Sequence, residues 1–157
     1  YTWDETPIIQ EIIRIKDDCY KMIVFTHWGD EYKVKENKRQ KDLAYKFIES
    51  GADIIIGAHP HVVESLEIYM GKPIFYSLGN FVFDQNFSFN TTHSIVVDII
   101  FKERETIYKI TPIKVINGQV EIANKEDSKK IINYLVDSDI PKEIKDNIIE
   151  NNEFSLN

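Results

Sequence analysis

The chain has 157 residues, 43% of them hydrophobic and 29% charged, proportions that bury one core and exclude both a multidomain machine and a disordered chain. The 19 Lys and Arg against 26 Asp and Glu leave a net charge of −7. That balance argues against a nucleic-acid footprint, so an anionic substrate has to be met locally, by a few cations or by metal. One cysteine, Cys19, rules out an intrachain disulfide and a Cys-ligated zinc site; it reads as a half-buried thiol near a helix end. The longest apolar runs, such as Ile95 to Phe101, fall far short of the ~20 residues of a spanning helix, and no membrane segment is expected. Opening on Tyr1 without a charged-then-apolar leader, the sequence reads as a fragment or processed product.

From Thr6 to about Ser77, helical and strand patterns alternate, the signature of an α/β layer. Thr6 is placed to cap a first helix with Pro7 at its first position, and Ile8, Ile9, Ile12 and Ile13 share one face. Lys21 to Thr26 is a short run rich in β-formers and reads as a buried strand. A second helix runs from about Asn37 to Ser50, stopped by Gly51, and Asp53 to Ile56 is a second buried strand. Helix-strand order makes the two strands parallel neighbours.

After Val63 the pattern changes to hairpins. Leu66, Ile68 and Met70 alternate with Glu67 and Tyr69, Gly71-Lys72-Pro73 supplies a turn, and Ile74 to Ser77 returns. Ser94 to Phe101 and Thr106 to Ile116 form an antiparallel pair, and the Asn117-Gly118 turn leads to Gln119 to Ile122. The expected division is residues 1–123 as the main domain part and 124–157 as a polar helical tail, with weak helical patterns at Asp127 to Val136 and Pro141 to Glu150.

The chemistry gathers where strands end, because open α/β sheets place ligands beyond the carboxyl ends of their strands. The first strand runs into His27-Trp28-Gly29-Asp30-Glu31, the second into Gly57-Ala58-His59-Pro60-His61, and the hairpin strand into Tyr76-Ser77-Leu78-Gly79-Asn80-Phe81, then Asp84. Pro60 pushes His59 toward an extended conformation, which would set the two histidines on one side, roughly 7 Å apart at the backbone at ~3.3 Å rise per residue. That spacing suits two ions about 3.5–4 Å apart at least as well as one. Imidazole suits zinc, iron, nickel or copper, and carboxylate partners admit manganese.

These three segments, taken in order, resemble the bacterial capsule-synthesis CapA family of the poly-γ-glutamate type, which belongs with the calcineurin-like metallophosphoesterases. The likeness runs from about Pro7 to Ile116 and is densest from Gly51 to Asp84. It implies the C-terminal half of an αββα sandwich, with a mixed sheet whose parallel strands are followed by antiparallel hairpins. It also implies His27 as an isolated metal-binding histidine, His59 and His61 as a His-x-His pair, and two divalent ions (Mn, Fe or Zn) in a complete protein. The family's aspartates and Asn-His motif belong to an earlier half, and nothing before His27 matches them. Three neutral ligands without that carboxylate charge hold metal weakly, so this piece alone is expected to be weakly metallated and inactive. Apolar surface left uncovered by the missing half implies pairing with that half or a homodimer.

Glu31 is a candidate base, ligand-orienting group or substrate contact, with a solvated acid as the alternative. Asn80 is a candidate catalytic or substrate-contacting amide, or a turn residue, and Asp84 and Trp28 are candidate substrate contacts, Trp28 alternatively a packed aromatic. Asp30 reads as a turn residue and His93 as structural or surface. Lys33, Lys35, Lys38, Arg39 and Lys41 could draw a polyanion to the cleft or form a solvated helix face. The function implied by resemblance is biosynthesis or anchoring of an anionic envelope polymer such as poly-γ-glutamate, outside the cytoplasmic membrane, by metal-activated hydrolysis or transfer if catalytic. A non-catalytic accessory protein that binds polymer or a membrane partner, and a general metal-dependent phosphoesterase, remain alternatives.

Overall fold

A computed structural model of the chain describes residues 4–157. Helix α1 (Thr6–Ile15) carries Pro near its start, but its N-cap is Glu5, and the Thr6 N–H donates to Asp4 Oδ1 at 3.0 Å. The expected Thr6 cap is thus replaced by the carboxylate two residues earlier, and Thr6 is the first helical residue. Ile12 is buried, whereas Ile13 is half exposed, because the apolar face is narrower than the four-isoleucine pattern implied. Cys19, expected half-buried, is exposed beyond the helix end.

Strand β1 (Ile23–His27) leads to α2 (Lys38–Ser50), whose N-cap Asn37 forms a reciprocal capping box with Gln40 and whose C-cap is Gly51 at φ 126°. Strand β2 (Ile54–Ala58) then pairs with β1 in parallel, from Ile23 opposite Ile54 to His27 opposite Ala58. Strands β3 (Leu66–Tyr69) and β4 (Lys72–Phe75) form a hairpin, and β4 also pairs in parallel with β2, giving the order β1-β2-β4-β3. The expected Gly71-Lys72-Pro73 turn is displaced by one residue. A two-residue loop that matches strand twist needs positive φ at both central positions, and Met70 at 50° with Gly71 at 73° supply them. Lys72 and Pro73 therefore begin β4, where Pro73 precedes the first β2 pair at Ile74 and removes no donor from that ladder.

A short helix α3 (Phe89–Thr92) precedes a second, antiparallel sheet of β5 (His93–Phe101), β6 (Thr106–Ile116) and β7 (Gln119–Ile122). The polar tail forms α4 (Lys125–Leu135), α5 (Lys142–Asn151) and a strand absent from the sequence reading, β8 (Glu153–Leu156), which pairs with Thr106 to Lys109 of β6.

Two apolar clusters organise these elements. One unites α1 and α2 with one face of the first sheet through Ile12, Ala44, Phe47, Ile55 and Ile74. The other joins Ile54, Ile56 and Phe75 of the first sheet to Ile95, Tyr108 and Ile110 of the second, and takes in Ile131, Leu135, Ile148 and Phe154 from the tail. The fold is thus mixed α/β, with a mixed parallel and antiparallel sheet and a further antiparallel sheet, as the sequence implied. Among the described residues no helix is long and apolar enough to cross a membrane.

Candidate metal centre

Three parallel strands end side by side, and their loops are laced together by main-chain bonds. The Trp28 N–H donates to the Ala58 carbonyl at 3.0 Å, Tyr32 N–H to Pro60 at 2.8 Å, Leu78 N–H to Gly57 at 3.3 Å and Ile95 N–H to Leu78 at 3.0 Å. Gly57 is essential to this lacing: a Cβ there would stand 1.9 Å from the Tyr76 carbonyl oxygen and 2.6 Å from Trp28 Nε1.

The sequence-predicted histidines converge on this edge. The ring of His27 is centred 4.6 Å from that of His59, and His59 is 5.8 Å from His61. Glu31, His59 and His61 each offer a donor atom, all within 4.8 Å of one another. Two donors on one ion with bonds of ~2.1 Å lie at most about 4.2 Å apart, so a modest inward rotation of these side chains completes a ligating set. The mixture of imidazole and carboxylate fits zinc, iron or manganese.

The loop is not extended, contrary to the expectation from Pro60. His59 has φ 102° and His61 φ 62°, and Tyr32, which crosses below them, has φ 64°. Three non-glycine residues in this sparsely populated region stand within one site, the kind of local strain that a surrounding framework has to impose. The hydrogen bond from Tyr32 N–H to Pro60 and the one between His61 and Asn80 supply that framework.

The remaining predicted residues divide. Asn80 is buried and turned inward, its Oδ1 2.8 Å from His61 Nδ1 and its Nδ2 donating to the Thr91 carbonyl at 3.0 Å. Trp28 faces the α2 side, where its indole N–H donates to the Tyr76 carbonyl at 2.9 Å and its ring joins the helix-covered core. Asp84 is exposed on the loop beyond Phe83. Asp30 accepts from Asn37 Nδ2 at 2.8 Å, tying the His27 loop to the cap of α2. Lys35, Lys38 and Lys41 are each paired with carboxylates, of Asp137, Asp42, and Glu36 with Glu67. His93 opens β5 and is buried, with Nδ1 2.7 Å from the Phe89 carbonyl.

Sequence reasoning missed three participants. Tyr32 stacks on His61 with centroids 5.9 Å apart, Phe83 lies 5.1 Å from the same ring, and Gln85 bridges Tyr32 to Asn80. Of these three, Tyr32 carried a signal, as the last residue of the His-Trp-Gly-Asp-Glu-Tyr run at 27–32. Away from the histidines, sequence reasoning also passed over Glu64, wholly enclosed, whose Oε2 accepts from Gln40 at 2.7 Å. Burial, with Glu36 and Asp30 nearby, pushes its carboxyl up to about 7. Its position inside Val62-Val63-Glu64-Ser65-Leu66, an otherwise apolar-flanked run, was the available clue.

Beside the histidines, a groove of about 520 Å³ runs between the two sheets, lined by Phe25, His27, Gly57, Leu78, Ile95 and Val97 among others. Among the described residues β1 pairs only with β2, and Phe25 on it is 75% exposed.

A family model described as bacterial capsule synthesis protein PGA_cap matches residues 2–85, more than half of the chain and every candidate ligand named above. The chain is 43% identical over 113 residues to the PGA biosynthesis protein CapA of Bacillus subtilis, covering 71% of this chain and 30% of that protein. It is 40% identical over 116 residues to the capsule biosynthesis protein CapA of Bacillus anthracis, covering 71% and 28%. A shorter match, 36% over 62 residues, covers 40% of this chain and 16% of a Mycobacterium tuberculosis protein named as a probable polyglutamine synthesis accessory protein. The chain thus spans less than a third of the length of the curated relatives it matches.

Proposed function

The chain belongs to the bacterial capsule synthesis protein family PGA_cap, and from that membership we infer that it works at the cell envelope in the biosynthesis or anchoring of an anionic, poly-γ-glutamate-like polymer, through a divalent cation held by His59, His61 and Glu31, with His27 extending the set. The observation that carries this reading is the convergence of Glu31, His59 and His61 donors within 4.8 Å beyond the ends of parallel strands, with the His27 ring centred 4.6 Å from that of His59. A cation there also answers the charge problem, since a chain of net charge −7 meets a polyanion best through a local positive centre.

When bound, a divalent ion would polarise a phosphoryl or acyl oxygen and acidify water. The chain's own groups supply the remainder. His61, held by Asn80 and flanked by Tyr32 and Phe83, presents a fixed ring edge. The exposed Glu31 carboxylate, 3.9 Å from His61 Nε2, completes the donor set or takes a proton from attacking water. Metal-assisted hydrolysis or transfer is the reaction class that follows. A second reading, a non-catalytic accessory protein that grips polymer through the cation, draws support from the single carboxylate among the clustered donors, too little charge for a tightly held pair of ions. The edge of β1 that has no partner among the described residues, with Phe25 beside it, is where further polypeptide of the same protein or a second copy would pair.

The test is calorimetric titration of the protein with Mn²⁺ and Zn²⁺, repeated on His59→Ala and His61→Ala, alongside phosphoesterase and polymer-processing assays. The reading expects saturable binding that falls at least tenfold in each variant. Equal affinity in variants and parent would overturn the site. Loss of turnover with loss of metal supports an enzyme, and polymer binding that survives metal removal supports the accessory role. Phosphoester turnover without any effect on polymer would point to a general phosphoesterase.

A further inference from the structure

Asn80 is 7% exposed, and both polar atoms of its side chain are committed. Nδ2 donates to the Thr91 carbonyl at 3.0 Å and to Gln85 Oε1 at 3.2 Å, and Oδ1 lies 2.8 Å from His61 Nδ1. The Asn80 carbonyl accepts from the Ser94 hydroxyl. A main-chain carbonyl only accepts, so the amide atom that faces Thr91 has to be the NH₂ group; the reversed amide would set two oxygens against each other. Oδ1 is thereby directed at His61. An amide oxygen also only accepts, so His61 Nδ1 has to carry the hydrogen, and the lone pair of the neutral ring then sits on Nε2. That is the atom 3.9 Å from Glu31 Oε1.

The geometry points to Asn80 as a positioning residue that fixes His61 in its Nδ1–H tautomer and presents Nε2 as the donor toward a cation. Gln85 extends the arrangement, since its Oε1 accepts from Asn80 and its Nε2 donates to the Tyr32 hydroxyl at 2.9 Å. Tyr32 in turn stacks on His61. The chain of contacts closes on itself, so the ring is held both at Nδ1 and on one face. An orienting partner on the second nitrogen of a ligand histidine raises the basicity of the first and fixes its direction. This inference rests on the metal reading only for the affinity it expects; the tautomer stands on hydrogen-bond chemistry alone.

Long-range ¹H–¹⁵N NMR tests it directly, because the chain has only 4 histidines and His61→Gln identifies the signal. At about pH 8.5, some two units above the ordinary imidazole value, the unaltered protein is expected to show His61 in the Nδ1–H form. Asn80→Leu should shift it toward the Nε2–H form and weaken Zn²⁺ binding roughly 10- to 100-fold. An Nε2–H ring in the unaltered protein overturns the assignment, as does an unchanged tautomer in a folded Asn80→Leu. If that variant does not fold, the spectrum of the unaltered protein decides. An Nδ1–H ring in a protein that binds no Zn²⁺ would confirm the tautomer and remove the metal reading, so the two fail separately.

Discussion

Glu64 shows how a single side chain can set a pH dependence. It is enclosed, Oε2 accepts from Gln40, and Oε1 has no partner among the described residues. Its carboxyl, raised from the usual 4.5 to about 7 by burial first and then by Glu36 and Asp30, stays protonated in the folded protein over a range where the unfolded chain releases the proton. The folded state binds more protons there, so stability falls as pH rises from about 4.5 to about 7 and levels off above, by up to about 3 kcal/mol at 1.36 kcal/mol per pKa unit. Urea denaturation at pH 4.5, 6 and 8 should show this slope, and Glu64→Gln should flatten it and leave the protein more stable at pH 8. At the same scale, the histidine positions at strand ends were legible because apolar runs stop at them. The turned-in direction of Asn80 and the left-handed backbone at His59 and His61 were not, since both depend on Thr91 and Tyr32, residues far away in sequence that only the fold brings close.

Among the elements, α2 is the one that connects core to site. Asn37 caps it, accepting from the Gln40 N–H at 3.0 Å, and the same side chain donates to Asp30 on the His27 loop. Asn37→Ala should therefore cost roughly 1 kcal/mol, seen as a fall in melting temperature of about 2–4 °C, and should speed amide exchange at Glu31 and Tyr32. A stability loss without that local exchange effect would mean that the cap does not order the loop. Elements with strong local signals were readable: β6 at Thr106–Ile116 and β7 at Gln119–Ile122 fall where alternation and Asn117-Gly118 placed them. Four-residue β8 was invisible because Glu-Phe-Ser-Leu has too few positions to establish a period, and what makes it a strand is the waiting edge of β6. The displaced hairpin turn has a different origin: Met70 and Gly71 take the positive φ of the two-residue loop, so Lys72 already pairs with Tyr69.

For the molecule as a whole, the second sheet joins the first through a core completed by the tail. Phe154 is 2% exposed, stacks on Tyr108 with centroids 4.7 Å apart and lies 6.3 Å from Phe75. Phe154→Ala should destabilise the protein by about 3–5 kcal/mol, measurable by chemical denaturation, and a loss below 1 kcal/mol would show that the tail is dispensable to the core. The placement of β8 also dictates an order of events. A nascent chain that has emerged only as far as α5 presents Tyr108 and Phe75 to water and leaves Thr106–Lys109 of β6 without its late partner. Until β8 clears the ribosome, that bare edge is a station where chaperones or a neighbouring nascent chain can dock.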